Sequence, residues 1–206
     1  MNKDSETVRR QRAEDGLRPR ERPINQGTMF LKLAFDLALR SRAAQEAVKD
    51  LLPIQQGVGS PRGMELIAHS CSAFYKKGYA ILKMDATNGF QEVQRAKMHL
   101  AIERRCPSLM SLFQKYYYHD SIGLCNAGDE IKVVKIEEGC RMGCKLSSFG
   151  FALTVQDSYL SVKKQLELTA INKTTDHSFL KAATDDVILV IKADPLQPEK
   201  LYKRVR

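Results

Sequence analysis

The chain has 206 residues, 43% hydrophobic and 28% charged, which excludes a disordered or collagen-like polypeptide and points to one compact domain with arms. Its 33 Lys and Arg outnumber 24 Asp and Glu, and the resulting net charge of +9 directs attention to polyanionic partners, nucleic acid first. No apolar run reaches the ~18–20 residues of a membrane span, no secretory or transit signature opens the chain, and five scattered cysteines argue against a disulfide framework. A reducing, intracellular compartment is expected, with nucleus or cytoplasm left open.

In chain order, residues 1–21 mix charges of both signs with almost no large apolar side chains and are expected to form a mobile arm. Phe30, Leu31, Ala34, Phe35, Leu37 and Ala38 recur at three- and four-residue spacing, which predicts one amphipathic helix continuing to Leu51 and stopped by Pro53. Residues 55–63 (QQGVGSPRG) predict a loop. Met64, Ile67, Ala68, Cys71 and Phe74 then restart helical spacing until Gly78. Tyr79 to Met84 is a short, partly β-branched run, predicted as a buried strand that delivers Asp85 at its C-terminal end. Helices are predicted from Gln91 to Arg104 and after Pro107, then a hairpin from the runs 122–125 and 131–136, then a helix from Leu146 to Leu168. Finally, the apolar runs 179–184 and 187–191 flank Asp185 and Asp186 and predict a second hairpin with two carboxylates at its tip.

Each acidic position has an ordinary reading: Asp85 as a helix N-cap, the Asp pair as a solvated turn. Set in a basic chain, carboxylates delivered by two strands also suit hard divalent cations bound between oxygens. The run Lys76, Lys77, Lys83, Arg95, Lys97, Arg104 and Arg105 reads equally as phosphate contacts or as a solvated face. Tyr116, Tyr117 and Tyr118 read as core packing with one exposed edge or as a stacking platform for bases. Cys140 and Cys144 lack a second ligand pair, so zinc is not expected.

The order D-x-x-N-G-F at 85–90, E-G-C-R-M-G-C-K-L-S-S-F-G-F-A-L at 138–153 and A-T-D-D at 183–186 resembles motifs A, B and C of reverse transcriptases, particularly those of non-LTR retrotransposons. R-P-I at 22–24 with Lys32, and Q-x-G-V-G-x-P-R-G-M-E at 55–65, are similar to the fingers segments of that family. The resemblance implies an α+β fold over residues 22–206, comprising fingers and palm with a small antiparallel sheet packed by helices. With Arg206 about twenty residues after the acidic pair, the chain is expected to be truncated after motif C and to lack the thumb.

It also implies a function: an RNA-directed DNA polymerase domain that transfers nucleotides from deoxynucleoside triphosphates to a primer 3′-hydroxyl on a template, with two Mg²⁺ ions or Mn²⁺ in their place. Asp85, Asp185 and Asp186 would be the catalytic, metal-binding carboxylates, with the Ala86 carbonyl beside them. Phe90 would exclude a ribose 2′-hydroxyl. Arg22 and Lys32 would neutralise the triphosphate, and Gly139 and Gly143 would let backbone approach the incoming nucleotide. Expected partners are an RNA template, a DNA primer, and a larger ribonucleoprotein or a chain supplying the thumb, with Arg95, Arg104 and Arg105 on the nucleic acid and no membrane.

The chain departs from the family pattern at Met142, where Gln is usual, at Lys145 and Ser148, where prolines are common, and at Ala183, where a large apolar residue is usual. These departures, with the truncation, define the alternative: a catalytically inactive RNA- or DNA-binding remnant within a ribonucleoprotein. The chain alone is therefore expected to extend primers weakly or not at all.

Overall fold

A computed structural model describes residues 28–86, 88–117, 121–127, 130–169 and 178–192. The expected arm at 1–21, Arg22 and Tyr118 lie outside these residues. The apolar spacing that predicts one helix to Leu51 is divided between α1 (Met29–Leu39) and α2 (Arg42–Leu51). The break has a local cause. Ser41 adopts extended backbone and its hydroxyl accepts the Ala44 N–H at 3.4 Å, as Thr28 accepts the Leu31 N–H for α1. Helix α3 (Gly63–Tyr75) leads into strand β1 (Ala80–Asp85), which ends at the acid as the apolar run predicts.

The helix expected from Gln91 begins two residues early as a single turn, α4 (Gly89–Glu92). Val93 and Gln94 are extended before α5 (Arg95–Arg105). A 3₁₀ turn at Pro107–Leu109 runs into α6 (Met110–Tyr117), followed by strands β2 (Ser121–Ala127) and β3 (Glu130–Ile136). The long helix α7 (Lys145–Thr169) and the strands β4 (Phe179–Ala183) and β5 (Asp186–Ile191) complete the described elements.

Strands β1, β5 and β4 form an antiparallel sheet in that order, so the most apolar strand, β5, is central. Cross-strand partners share a face. One face carries Leu82, Met84, Leu180, Ala182, Val187 and Leu189 and packs against Tyr159, Val162 and Leu166 from the C-terminal half of α7. The N-terminal half of α7 belongs to a second core, where Leu146, Phe149 and Leu153 meet Phe35, Leu51, Met98, Ile102 and Phe113. Burying side chains of this size contributes roughly 1.5–3 kcal/mol each, so α7 ties the sheet to the helices. The opposite sheet face is covered only in part: Phe74 of α3 meets Phe179 edge-on at 4.9 Å, while Lys83 and Asp85, nearer the hairpin tip, are exposed.

The result is a mixed α/β fold with small antiparallel sheets, as the α+β reading expects. Strands β2 and β3 form a separate ribbon, on one face of which Ile122, Leu124, Ile131 and Val133 are exposed. No described helix is long and apolar enough to cross a membrane, and four cysteines of the described residues, Cys71, Cys106, Cys140 and Cys144, are free thiols.

His99 on α5 makes stability depend on pH. Its ring lies edge-on to Phe113 at 5.4 Å, and its Nε2 is buried without a hydrogen-bond partner. Burial, and secondarily the Arg95 charge, hold its pKa below the ordinary 6.5. The folded state then binds fewer protons than the unfolded state, so this contribution is complete above pH 6.5 and is lost as pH falls through the lower folded value. The urea midpoint should drop on acidification below 6.5, and His99→Phe should remove that part of the drop.

Candidate active site

Asp85, the last residue of β1, lies directly opposite Asp186, the first residue of β5, and both project from the partly open face. Like charges in direct cross-strand register oppose folding. Lys83, two residues before Asp85 on the same face, offsets one of them through an ion pair to Asp186 at 3.2 Å. Both members are well exposed, so that pair contributes at most about 1 kcal/mol. Asp185 occupies the turn between β4 and β5, its Oδ1 accepting the Thr184 hydroxyl at 3.0 Å. Its Cβ lies 3.3 Å from where a side chain on Gly89 would begin, so the turn is pressed against the start of α4.

The segment after Asp85 and the loop before α7 are bound together. The Gly139 N–H donates to the Val93 carbonyl at 3.0 Å and the Cys140 N–H to the Phe90 carbonyl at 2.6 Å. Gly139 has φ +79°, and a Cβ there would stand 2.4 Å from the Gln91 carbonyl oxygen, so only glycine fits. Phe90 stacks on Phe151 of α7, centroids 4.8 Å apart and planes within 8°. Gln91 Nε2 donates to Met142 Sδ at 2.9 Å, so the methionine that departs from the family pattern accepts a hydrogen bond here. Burial, with Cys144 and Asp185 nearby, pushes the Cys140 thiol up to about 12 despite its backbone bond and Arg95, so it is not a nucleophile near neutral pH.

Arg95, expected on nucleic acid, is instead 7% exposed. Its Nε donates to the Gly139 carbonyl at 3.0 Å, a terminal nitrogen donates to the Ile136 carbonyl at 3.1 Å, and the guanidinium lies over the Tyr117 ring at 5.4 Å. The physical reason is that five fixed donors suit a turn of converging carbonyls, and the side chain braces the loop around Gly139. Arg95→Met should cost roughly 2–4 kcal/mol, because each hydrogen bond from a charged group contributes about 1.5–3 kcal/mol. A lowered urea midpoint with unchanged slope would register it.

The remaining expected residues are dispersed. Lys32 is exposed on α1, and Gly143 (φ +85°) lies in the exposed part of the loop before α7. The Ala86 carbonyl accepts the Gly89 N–H at 3.2 Å. Arg104 and Arg105 both pair with Asp157 of α7, Arg104 at 3.2 Å and largely exposed, Arg105 mostly covered. Tyr116 is half-buried beneath the Arg141 guanidinium at 4.3 Å, and Tyr117 is buried against the Ser147 hydroxyl, so these two rings serve packing.

Beside the carboxylates, Tyr159 escapes sequence reasoning, while Lys83, read as a phosphate contact or a solvated face, and Gln55, read only as part of a fingers-like segment, lie at this corner. The Tyr159 hydroxyl donates to the Thr184 carbonyl at 3.1 Å, and its pKa is pushed up to about 12, first by burial and then by Asp185 and Asp186.

The donor chemistry at this corner suits Mg²⁺ better than any softer metal: carboxylate oxygens of Asp85, Asp185 and Asp186, with the Ala86 carbonyl nearby and no thiol or imidazole required. Among the described residues, no three His, Cys, Asp or Glu side chains converge as a ready-made metal group. Asp85 and Asp186 face one another, and Asp185 is the member turned toward Gly89.

No protein-family profile matches the chain. Among solved structures, the RNA-dependent RNA polymerase from bacteriophage phi12 is similar with a TM-score of 0.51 and 15% identity, over 83% of this chain and 28% of that one. Apo telomerase from Candida tropicalis, truncated from its C-terminal domain, gives 0.48 and 13% over 88% and 40%. Telomerase from Candida albicans with a TWJ fragment of telomeric RNA gives 0.48 and 12% over 85% and 31%. The chain thus spans less than half the length of each. The likeness to the phi12 enzyme shows a polymerase-like fold.

Proposed function

We propose that the chain is part of a nucleotidyl-transferring polymerase of the reverse transcriptase type, acting on deoxynucleoside triphosphates, a DNA primer and an RNA template. The observation that carries this reading is the cross-strand register of Asp85 with Asp186, with Asp185 in the adjoining turn, at the open corner of the sheet. Two opposed carboxylates are a stability cost that a divalent cation relieves. Mg²⁺ held there would activate the primer hydroxyl and stabilise the departing pyrophosphate. Asp85 and Asp185 would supply its oxygen ligands, and Asp186, already paired with Lys83, would be the auxiliary carboxylate. Phe90, its ring stacked on Phe151, would exclude a ribose 2′-hydroxyl. Lys32 serves the triphosphate as a flexible point charge, and Arg104 a phosphate of the duplex. Kinship with non-LTR retrotransposon enzymes belongs to this reading.

The test is primer extension on an RNA template with Mg²⁺. Measurable extension with deoxynucleotides, however slow, supports the polymerase. A second reading, the inactive nucleic-acid-binding remnant, is favoured by the lack of a ready-made three-ligand group among the described residues and by the Lys83 pair. It predicts salt-sensitive duplex binding without extension.

A further inference from the structure

The turn that carries Asp185 is strained and held from outside the hairpin. Thr184 has φ +59°, a left-handed conformation that a β-branched residue adopts only when its surroundings impose it. The imposing contacts come from residues 54–57, which the sequence presents as a glycine-rich loop. Ile54 and Gln56 add a short parallel rung to the outer edge of β4: the Ala182 N–H donates to the Ile54 carbonyl at 2.8 Å, and the Gln56 N–H donates to the Ala182 carbonyl at 2.7 Å. Between them the fully buried Gln55 reaches the turn with both ends of its amide. Its Oε1 accepts the Thr184 N–H at 3.1 Å, and its Nε2 donates to the Thr184 carbonyl at 3.3 Å. Gly57 completes the approach, since a Cβ there would lie 3.0 Å from Ala183 Cα and from Thr184 N. An amide that donates and accepts fixes the Thr184 backbone in both senses, which no single-function side chain does.

We propose that Gln55 is a positioning residue for the carboxylate corner: by gripping the Thr184 backbone it sets where Asp185 stands relative to Asp85. The inference rests on the metal-binding reading of those carboxylates. Tyr159, through its own bond to the Thr184 carbonyl, acts in the same sense from α7.

The test uses the whole chain with Gln55→Met, which keeps the volume and loses both bonds, and Gln55→Glu, which keeps the acceptor and loses the amide donor. Two properties are measured: hydrogen exchange over residues 183–186 and Mn²⁺ affinity by electron paramagnetic resonance. Gln55→Met should speed exchange at the tip and weaken Mn²⁺ binding by about tenfold, the lower end of what losing an outer hydrogen-bond partner of a metal ligand costs. Gln55→Glu should fall between it and wild type. Lys181→Met removes the neighbouring Lys181 bond to the Pro53 carbonyl and should change neither, which separates the clamp from general loosening of this seam. Should one Gln55 variant fail to fold, the other decides. A folded variant with wild-type exchange and wild-type Mn²⁺ affinity overturns the clamp. A wild-type chain that binds no Mn²⁺ overturns instead the metal reading on which the clamp's role depends.

Discussion

Asp85→Asn should abolish primer extension, by at least about a hundredfold to a thousandfold, the scale on which removing one group that stabilises transition-state charge acts. Asparagine keeps the size and one oxygen of the side chain but loses the charge. Asp85 faces Asp186 in register and has no described ion-pair partner of its own, so the change relieves repulsion in the sheet. Folding stability should therefore hold or rise while activity vanishes. That opposition of sign distinguishes a functional carboxylate from a structural one, for which activity and stability fall together. Asp185→Asn should lose activity to a similar degree. Lys83→Met bears on the same electrostatics: removing the counter-charge of Asp186 should tighten divalent-cation binding.

Phe90→Ala should have two separable effects. Loss of a half-buried ring stacked at 4.8 Å on Phe151 should lower stability by roughly 2–4 kcal/mol, somewhat under the usual range for a fully buried phenylalanine. Discrimination against ribonucleoside triphosphates should also weaken, by about tenfold or more, the scale a pocket wall achieves against one extra group. Single-nucleotide incorporation with paired deoxy- and ribonucleotides measures it. Phe151→Leu removes the stacking partner while leaving Phe90 in place, and should show a smaller loss of discrimination if the ring's orientation matters.

Much of this corner was legible in the sequence because strands announce themselves by local composition. The apolar runs ending at Asp85 and around Asp185 and Asp186 need only period and β-branching to be seen, and the structure forms strands there, ending within one residue of the expected positions. Pairing is another matter. That β1 joins β5, and that residues 54–56 extend the edge of β4, are contacts between segments more than a hundred residues apart, which no periodicity encodes. Gln55 opens the segment that resembles the family's fingers, but its grip on the Thr184 turn is hidden for that reason in a stretch whose glycines and proline read as loop.

Arg95 illustrates the converse error. A basic residue in a run of basic residues reads as surface, yet the carbonyls of Ile136 and Gly139 converge on it and its charge is buried among them. The break at Ser41 was missed because apolar spacing continues across it. The capping hydroxyl, not the hydrophobic pattern, ends one helix and begins the next.

Polymerase activity here requires divalent cations bound by the carboxylates at the β1–β5 corner, and Mn²⁺ titration followed by electron paramagnetic resonance, with a deoxynucleoside triphosphate and primer-template present, measures this directly. The wild-type chain should bind Mn²⁺ beyond what the nucleotide binds alone, and Asp85→Asn and Asp185→Asn should each weaken that binding by at least about tenfold. Wild-type binding that is unchanged in both substituted chains, or no binding above the nucleotide's own, would contradict the polymerase reading.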